Sequence, residues 1–219
     1  MLNGNRYAKV NVKVLIILIV IIAAIVASLF AARQIRRSIY SKMHLEAGQK
    51  AFENKDWPAA YEHFKEYLGR NPDDIEILKK YAEARLLIRP LEGNAIAGAV
   101  SAYRRVIRLN PQDETAYEKL AMLYTGIENF EELAYIARMR IENDPNNKKA
   151  SIWLADALIN LNKPDMAQQT LMNLIDNIEK LQGKYPEYIQ ACLQMSNITT
   201  SMDSSPQATA KALEWHMAG

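Results

Sequence analysis

Residues 67–78 read YLGRNPDDIEIL. Asn71-Pro72-Asp73-Asp74 stands between two runs of helical composition, and related tetrads recur at Asn110-Pro111-Gln112-Asp113 and Asp144-Pro145-Asn146-Asn147. Proline cannot continue a helix, and it biases the residue before it out of the helical region. Two residues past each proline stands Asp74, Asp113 or Asn147. Such side chains cap a new helix by accepting from its free amide hydrogens, worth about 1 kcal/mol. Asp73, Asp74, Asp113 and Glu114 also favour the positive end of that helix's dipole. Each tetrad therefore stops one helix and starts the next. The acids lack the alternating oxygen ligands and closing glutamate of a calcium loop. Pro111 to Pro145 is 34 residues and Pro72 to Pro111 is 39. A fixed period of this size marks a solenoid of helix pairs. Segment 89–98, RPLEGNAIAG, houses the surplus five, because Pro90 and Gly93 break the chain between a helix at 75–88 and one at 95–109.

The pattern resembles the tetratricopeptide repeat (TPR) family. A small pair early in the first helix corresponds to Ala47-Gly48, Leu120-Ala121 and Leu154-Ala155, and a large residue before the second helix to Trp57 and Phe130. A small residue opens the second helix at Ala60, Ala99 and Ala167, a large one follows at Phe64, Tyr103 and Leu171, and proline closes the unit. The third unit departs from this, with Leu133 beside Ala134 and with Ala137 where a large residue is expected, so its packing is expected to shift by a residue. The fourth unit lacks the closing proline, and its second helix is expected to run past Glu179. The implied fold is all-α: an N-terminal transmembrane helix, then a TPR α-solenoid of about four helix-turn-helix repeats plus a partial fifth. The expected boundaries are a basic tail at 1–13, a transmembrane helix at 14–32, a basic juxtamembrane segment at 33–42, a solenoid at 43–181 and a further helical pair, partial repeat or cap at 182–219. Helical spacing gives 60–68 one apolar face through Ala60, Tyr61, Phe64, Tyr67 and Leu68, and 75–86 another through Ile75, Leu78, Tyr81 and Ala82. Trp57, Tyr61 and Phe64 at this spacing read as inter-helix core rather than as a ligand cage.

Charge is divided along the chain. All 25 acids lie at or after Glu46, whereas seven of the 27 basic residues precede it, so residues 1–42 carry +7 and residues 43–219 carry −5. An acidic main domain argues against nucleic-acid binding, which needs a basic face. Val14–Ala32 holds 19 residues without a charge, a helix of ~28 Å, about one hydrocarbon core. A cleavable signal has an apolar region of roughly 7–15 residues and a small-x-small site. Here Leu29 precedes Ala31 by two and Phe30 precedes Ala32 by two, so a retained single-pass anchor is expected, in a bacterial inner membrane by the resemblance. The flanks, Arg6, Lys9 and Lys13 against Arg33, Arg36, Arg37 and Lys42, are too balanced to orient it. Arg33 to Arg37 also suits an anionic headgroup layer, at about 1 kcal/mol per basic residue.

No phosphate loop, nucleophile elbow, paired-cysteine motif or His-x-x-x-His appears in the sequence. The three histidines are scattered without metal-ligand spacing, and His44 with Glu46, or His63 with Glu62, read as surface or packing residues. Cys192 in its apolar run reads as a small buried hydrophobe. No enzyme, cofactor or small-molecule substrate is expected. Function falls to a surface. First helices of such a solenoid line an inner groove, and counting along them gives Gln49, Glu53, Lys79, Glu83, Glu118, Met122, Asp156 and Asn160. The row is mixed and mildly acidic. One family subtype grips a terminal carboxylate with Lys and Asn, but Leu45 and Gln49 stand at those places. A basic or extended polar peptide suits the row better. The expected role is a membrane-anchored scaffold that binds a protein or peptide partner, and the resemblance implies assembly of an envelope complex. The alternatives are a holdase-like chaperone using Leu45, Phe52, Leu86 and Met122, or the N-terminal fragment of a larger protein.

Overall fold

The computed structural model describes residues 12–91, 93–180, 186–202 and 206–218. Ten helices and no strand occur among the described residues. Arg6, Lys9, residues 181–185 and Ser204-Ser205 lie outside them, as do the side chains of Trp215 and His216. The chain divides into two compact units, 1–70 and 71–219.

The first unit holds α1 (Val12–Glu53) and α2 (Trp57–Leu68). Helix α1 passes unbroken through positions 32 and 42, so the apolar run and the first repeat share one rod. It is long and apolar enough to cross a membrane, and its apolar stretch is unburied, with Leu29 and Phe30 about two-thirds exposed. Past the apolar run it becomes a packing helix: Gly48 is buried beneath Phe64, and Ala60 and Phe64 are wholly buried. Phe52 lies 5.3 Å from the Trp57 ring and 6.0 Å from Phe64, so two half-buried rings pack at the edge of a core that Phe64 fills. Lys55 turns the corner with φ 59° and Asp56 caps α2 by accepting from the Ala59 amide at 3.2 Å.

The second unit holds α3 (Ile75–Leu87), α4 (Ala95–Leu109), α5 (Glu114–Gly126), α6 (Phe130–Asn143), α7 (Lys148–Asn160), α8 (Pro164–Lys180), α9 (Pro186–Met202) and α10 (Pro206–Ala218), each packed on the next. The tetrads behave as their chemistry demands. Asp74, Asp113 and Asn147 accept from the amides of Ile77, Ala116 and Ala150 at 3.1, 2.9 and 2.9 Å. Each cap amide also donates back across the proline, to the carbonyls of Asn71, Asn110 and Asp144 at 3.4, 3.1 and 3.0 Å. The residues before Pro111 and Pro145 are extended. Glu128 and Asn162, like Lys55, take positive φ in the turn inside a repeat.

First helices carry more apolar surface than one face. Ile77, Ala116 and Ala150 stand three residues after their caps, and Ala84, Leu123 and Ala157 ten after; all are 7% exposed or less. These form a second stripe beside Leu78-Ala82, Tyr117-Ala121 and Ala155-Leu158. A middle helix touches its own partner on one side and the preceding repeat on the other, so both sides must be apolar. In the third unit the large and small residues exchange places, with Leu133, Ala134, Ile136 and Ala137 all buried. Helix α8 reaches Lys180, one residue beyond Glu179. Cys192 is buried, and Met217 near the end of α10 is 76% exposed.

Candidate partner-binding face

The side chains singled out along the first helices fall into two sets. Lys79, half-buried, reaches Glu76 at 2.8 Å and Asp113 at 3.1 Å. The hydrogen bond that it donates to Glu76, then that to Asp113, holds its ammonium above the usual lysine range against the opposing cost of burial. Glu118 accepts from Lys149 of α7. Its hydrogen bond raises the Lys149 ammonium in turn. Asp156 accepts from Gln194 Nε2 of α9. Within the second unit these three therefore tie α3 to the cap of α5, α5 to α7 and α7 to α9, across 34, 31 and 38 residues of sequence.

The second set is free of such duty. Glu83 is exposed, and Met122 is 56% exposed at the equivalent place one repeat later, nine residues past the cap. Asn160 is exposed and donates to the Asp156 carbonyl at 2.8 Å. Gln49 and Glu53, on the other unit, are half-buried and exposed respectively. Of the four apolar groove residues weighed above, Met122 is exposed while Leu45, Phe52 and Leu86 are half-buried.

Asp156 shows what its position costs. Burial pushes its carboxyl up to about 6, only partly offset by the Gln194 hydrogen bond. A carboxyl raised on folding stabilises the native state while both states are protonated, and that stability is lost as pH rises from about 4 to about 6. Asp156→Asn keeps an oxygen acceptor for Gln194 without the charge. After discounting for partial exposure, the variant is expected to be about 1 kcal/mol more stable than wild type at pH 7.5, or ~3 °C in thermal midpoint. The gap should close toward pH 4. An equal gap at both pH values would assign the effect to packing.

Among the contacts that sequence reasoning missed is a histidine pair. His44 and His63, called scattered, meet with Nδ1 atoms 3.1 Å apart, and Tyr40 lies against His44 at 4.3 Å between ring centroids. One imidazole must donate and the other accept. The signal was present: His44 lies one turn before Gly48, and His63 beside Phe64, the residue that packs on that glycine.

No family model matches the chain. Over 109 residues, half of this chain, it is 28% identical to serine/threonine-protein phosphatase T of Aspergillus oryzae. That stretch is 22% of the phosphatase, so the chain spans under a quarter of the curated relative it matches. Among solved structures it is similar to MamA (TM-score 0.58, 17% identity, 81% of this chain and 92% of that one). It is also similar to residues 41 to the end of MamA from Desulfovibrio magneticus RS-1 (0.58, 14%, 82% and 94%). A third likeness is to YrrB, described as a TPR protein with an unusual peptide-binding site (0.56, 10%, 80% and 85%). The chain has the tetratricopeptide repeat fold.

Proposed function

We propose that the chain is a membrane-anchored scaffold that holds a protein or peptide partner against the first helices of its second unit, for assembly of a membrane or envelope complex. The observation that carries this reading is the division of labour on α3 and α5. Lys79 and Glu118 are consumed by repeat-to-repeat ties, whereas Glu83 and Met122, one turn further along, stay exposed where folding does not require them. A carboxylate and a polarisable thioether suit an extended segment carrying a basic and an apolar side chain. The YrrB likeness supports peptide binding by this fold, and α1 supplies a tether. The apolar surface that a holdase needs is interrupted, because Met122 alone of its four candidates is well exposed.

The test places a photo-crosslinking residue at Glu83, at Met122, or at Tyr135, an exposed residue of α6, in the full chain within its own membrane. One stoichiometric companion captured at 83 and 122 but not at 135 is the expected result. Met122→Lys should then lower capture from position 83, and Glu83→Lys capture from position 122, each about tenfold, the equivalent of ~1.4 kcal/mol. Equal capture at 135 would overturn the assignment of the face, and a heterogeneous set of unfolded chains would favour the holdase. Asp156→Lys is unsuited to this test, because its side chain ties α7 to α9.

A further inference from the structure

Beyond the anchor, the first unit carries a cleft that the partner-binding reading does not use. Arg33, Arg36, Arg37 and Tyr40 of α1 face Lys65 and Glu66 of α2 and the following Gly69 and Arg70, around a cavity of about 660 Å³. That volume lies within the roughly 300–1,000 Å³ of small-molecule sites. The spacing 33, 36, 37, 40 puts four side chains on one helical face. Arg33 therefore faces like charges at both the third and fourth positions, each pair costing about 0.2–0.5 kcal/mol. No acid lies between residues 33 and 42 to relieve them. Folding adds two further cations, with the Arg70 guanidinium stacked 4.1 Å from the Tyr40 ring centroid. Glu66 is the one acid in the lining, and Lys65 also pairs with Glu62 at 3.3 Å on the exposed surface. The C-terminal end of α2 contributes only about half a negative charge, against five cations.

We propose that this cleft binds the phosphate of an anionic phospholipid headgroup. The position relative to the apolar run selects a lipid over a free anion. At 1.5 Å per residue, Arg33, Arg36 and Arg37 lie about 2, 6 and 8 Å beyond Ala32. The headgroup layer extends roughly 5–8 Å beyond the hydrocarbon core. Guanidinium groups match phosphate oxygens in pairs, and Tyr40, about 12 Å beyond Ala32, lines the far end of the cleft. Arg70 lines the same cleft from the end of α2, so the headgroup would pin α2 to the stem and set the height of this helix pair above the bilayer. A general attraction of basic residues to an anionic surface would not need Arg70.

The proposal rests on α1 as a retained membrane helix, so insertion is measured first, by resistance of the full chain to alkaline extraction from vesicles. The chain is then held in nanodiscs of phosphatidylcholine, and phosphatidylglycerol binding is followed by native mass spectrometry, with inorganic phosphate alone as a separate arm. Preferential retention of phosphatidylglycerol is expected, with no retention of phosphate. Arg36→Gln with Arg37→Gln should weaken it more than tenfold and Arg70→Gln roughly fivefold, about the effect of one basic residue near an anionic surface. Lys42→Gln with Lys50→Gln, which removes the same charge outside the cleft, should change it less than twofold. Helix content by circular dichroism checks that each variant is folded, and the pair on α1 alone avoids the contact of Arg70 with Tyr40. A chain that fails to insert overturns the anchor. Insertion without lipid preference, equal loss in the Lys42/Lys50 variant, or phosphate bound as well as lipid overturns the cleft while leaving the anchor intact.

Discussion

Arg140→Ala should lower the unfolding free energy of the second unit by about 2–3 kcal/mol, below the roughly 3–5 kcal/mol for breaking a fully buried ion pair because the Glu114 side chain is 37% exposed. Arg140 of α6 is 6% exposed. Its Nε and Nη2 donate to Glu114 Oε2 at 3.1 and 2.8 Å, and its Nη1 donates to Gln112 Oε1 at 2.9 Å. Asp144 stands 3.6 Å from Nη2, and the Tyr117 ring centroid lies 5.5 Å from the guanidinium carbon. Glu114 also accepts from Asn147 at 3.2 Å, and Asn147 caps α7. One guanidinium thus joins the Pro111 tetrad to the Pro145 tetrad and fixes where two successive repeats begin. Alanine leaves a cavity and takes two of the three donors from Glu114 Oε2, leaving it the Asn147 amide alone among them. Lysine keeps the charge but cannot fork, so Arg140→Lys should recover less than half of the loss. Chemical unfolding of the full chain in detergent measures this, and a cycle with Glu114→Gln should give a coupling of about 2 kcal/mol. A loss under 1 kcal/mol would mean that hydration replaces the cluster without penalty.

Arg140 also marks the boundary of what the sequence discloses. It continues the stripe Leu133, Ile136, Ala137 at helical spacing, so an apolar residue is the natural expectation there. The partners that make arginine acceptable lie 26 and 28 residues earlier. Interactions within three or four residues were legible: the caps at Asp74, Asp113 and Asn147, the proline stops, and the break at Pro90 and Gly93. The period was legible because the same local signals recur. The ties Lys79–Asp113, Glu118–Lys149 and Asp156–Gln194 were not, because each depends on how one helix is rotated against another. Phase counting therefore placed these residues on the right helices but could not separate Lys79 and Glu118, spent on stacking, from Glu83 and Met122, left exposed. The same reason hid His44 beside His63, and Arg70 beside an arginine stripe 33 residues away. Each pair is assembled by the crossing of α1 with α2.

That crossing rests on a single missing side chain, and Gly48→Ala should destabilise the first unit by about 2 kcal/mol. In isolation the change favours α1, since alanine exceeds glycine inside a helix by about 1 kcal/mol. Against that, a Cβ at Gly48 would stand 2.7 Å from both Cδ1 and Cε1 of Phe64 and 3.3 Å from the His63 Cβ. The ring cannot swing aside, because Phe64 is wholly buried, with Phe52 6.0 Å away. Relief requires α2 to move outward, and overpacking of this kind costs about 1–3 kcal/mol; two contacts at 2.7 Å put it at the upper end, which leaves about 2 kcal/mol after the propensity gain. Two controls separate clash from propensity. Gly126→Ala, at the end of α5 with nothing within 4 Å of its added Cβ, should be neutral or slightly stabilising. Phe64→Leu destabilises alone by leaving space, but combined with Gly48→Ala it should restore more than half of that loss, since the new methyl fills the vacated room. Hydrogen exchange of the α1 and α2 amides in the full chain reads the unit directly. Unchanged protection in Gly48→Ala would show that α2 can withdraw at no cost, and the small pair at Ala47-Gly48 would then not be what sets the distance between the two helices.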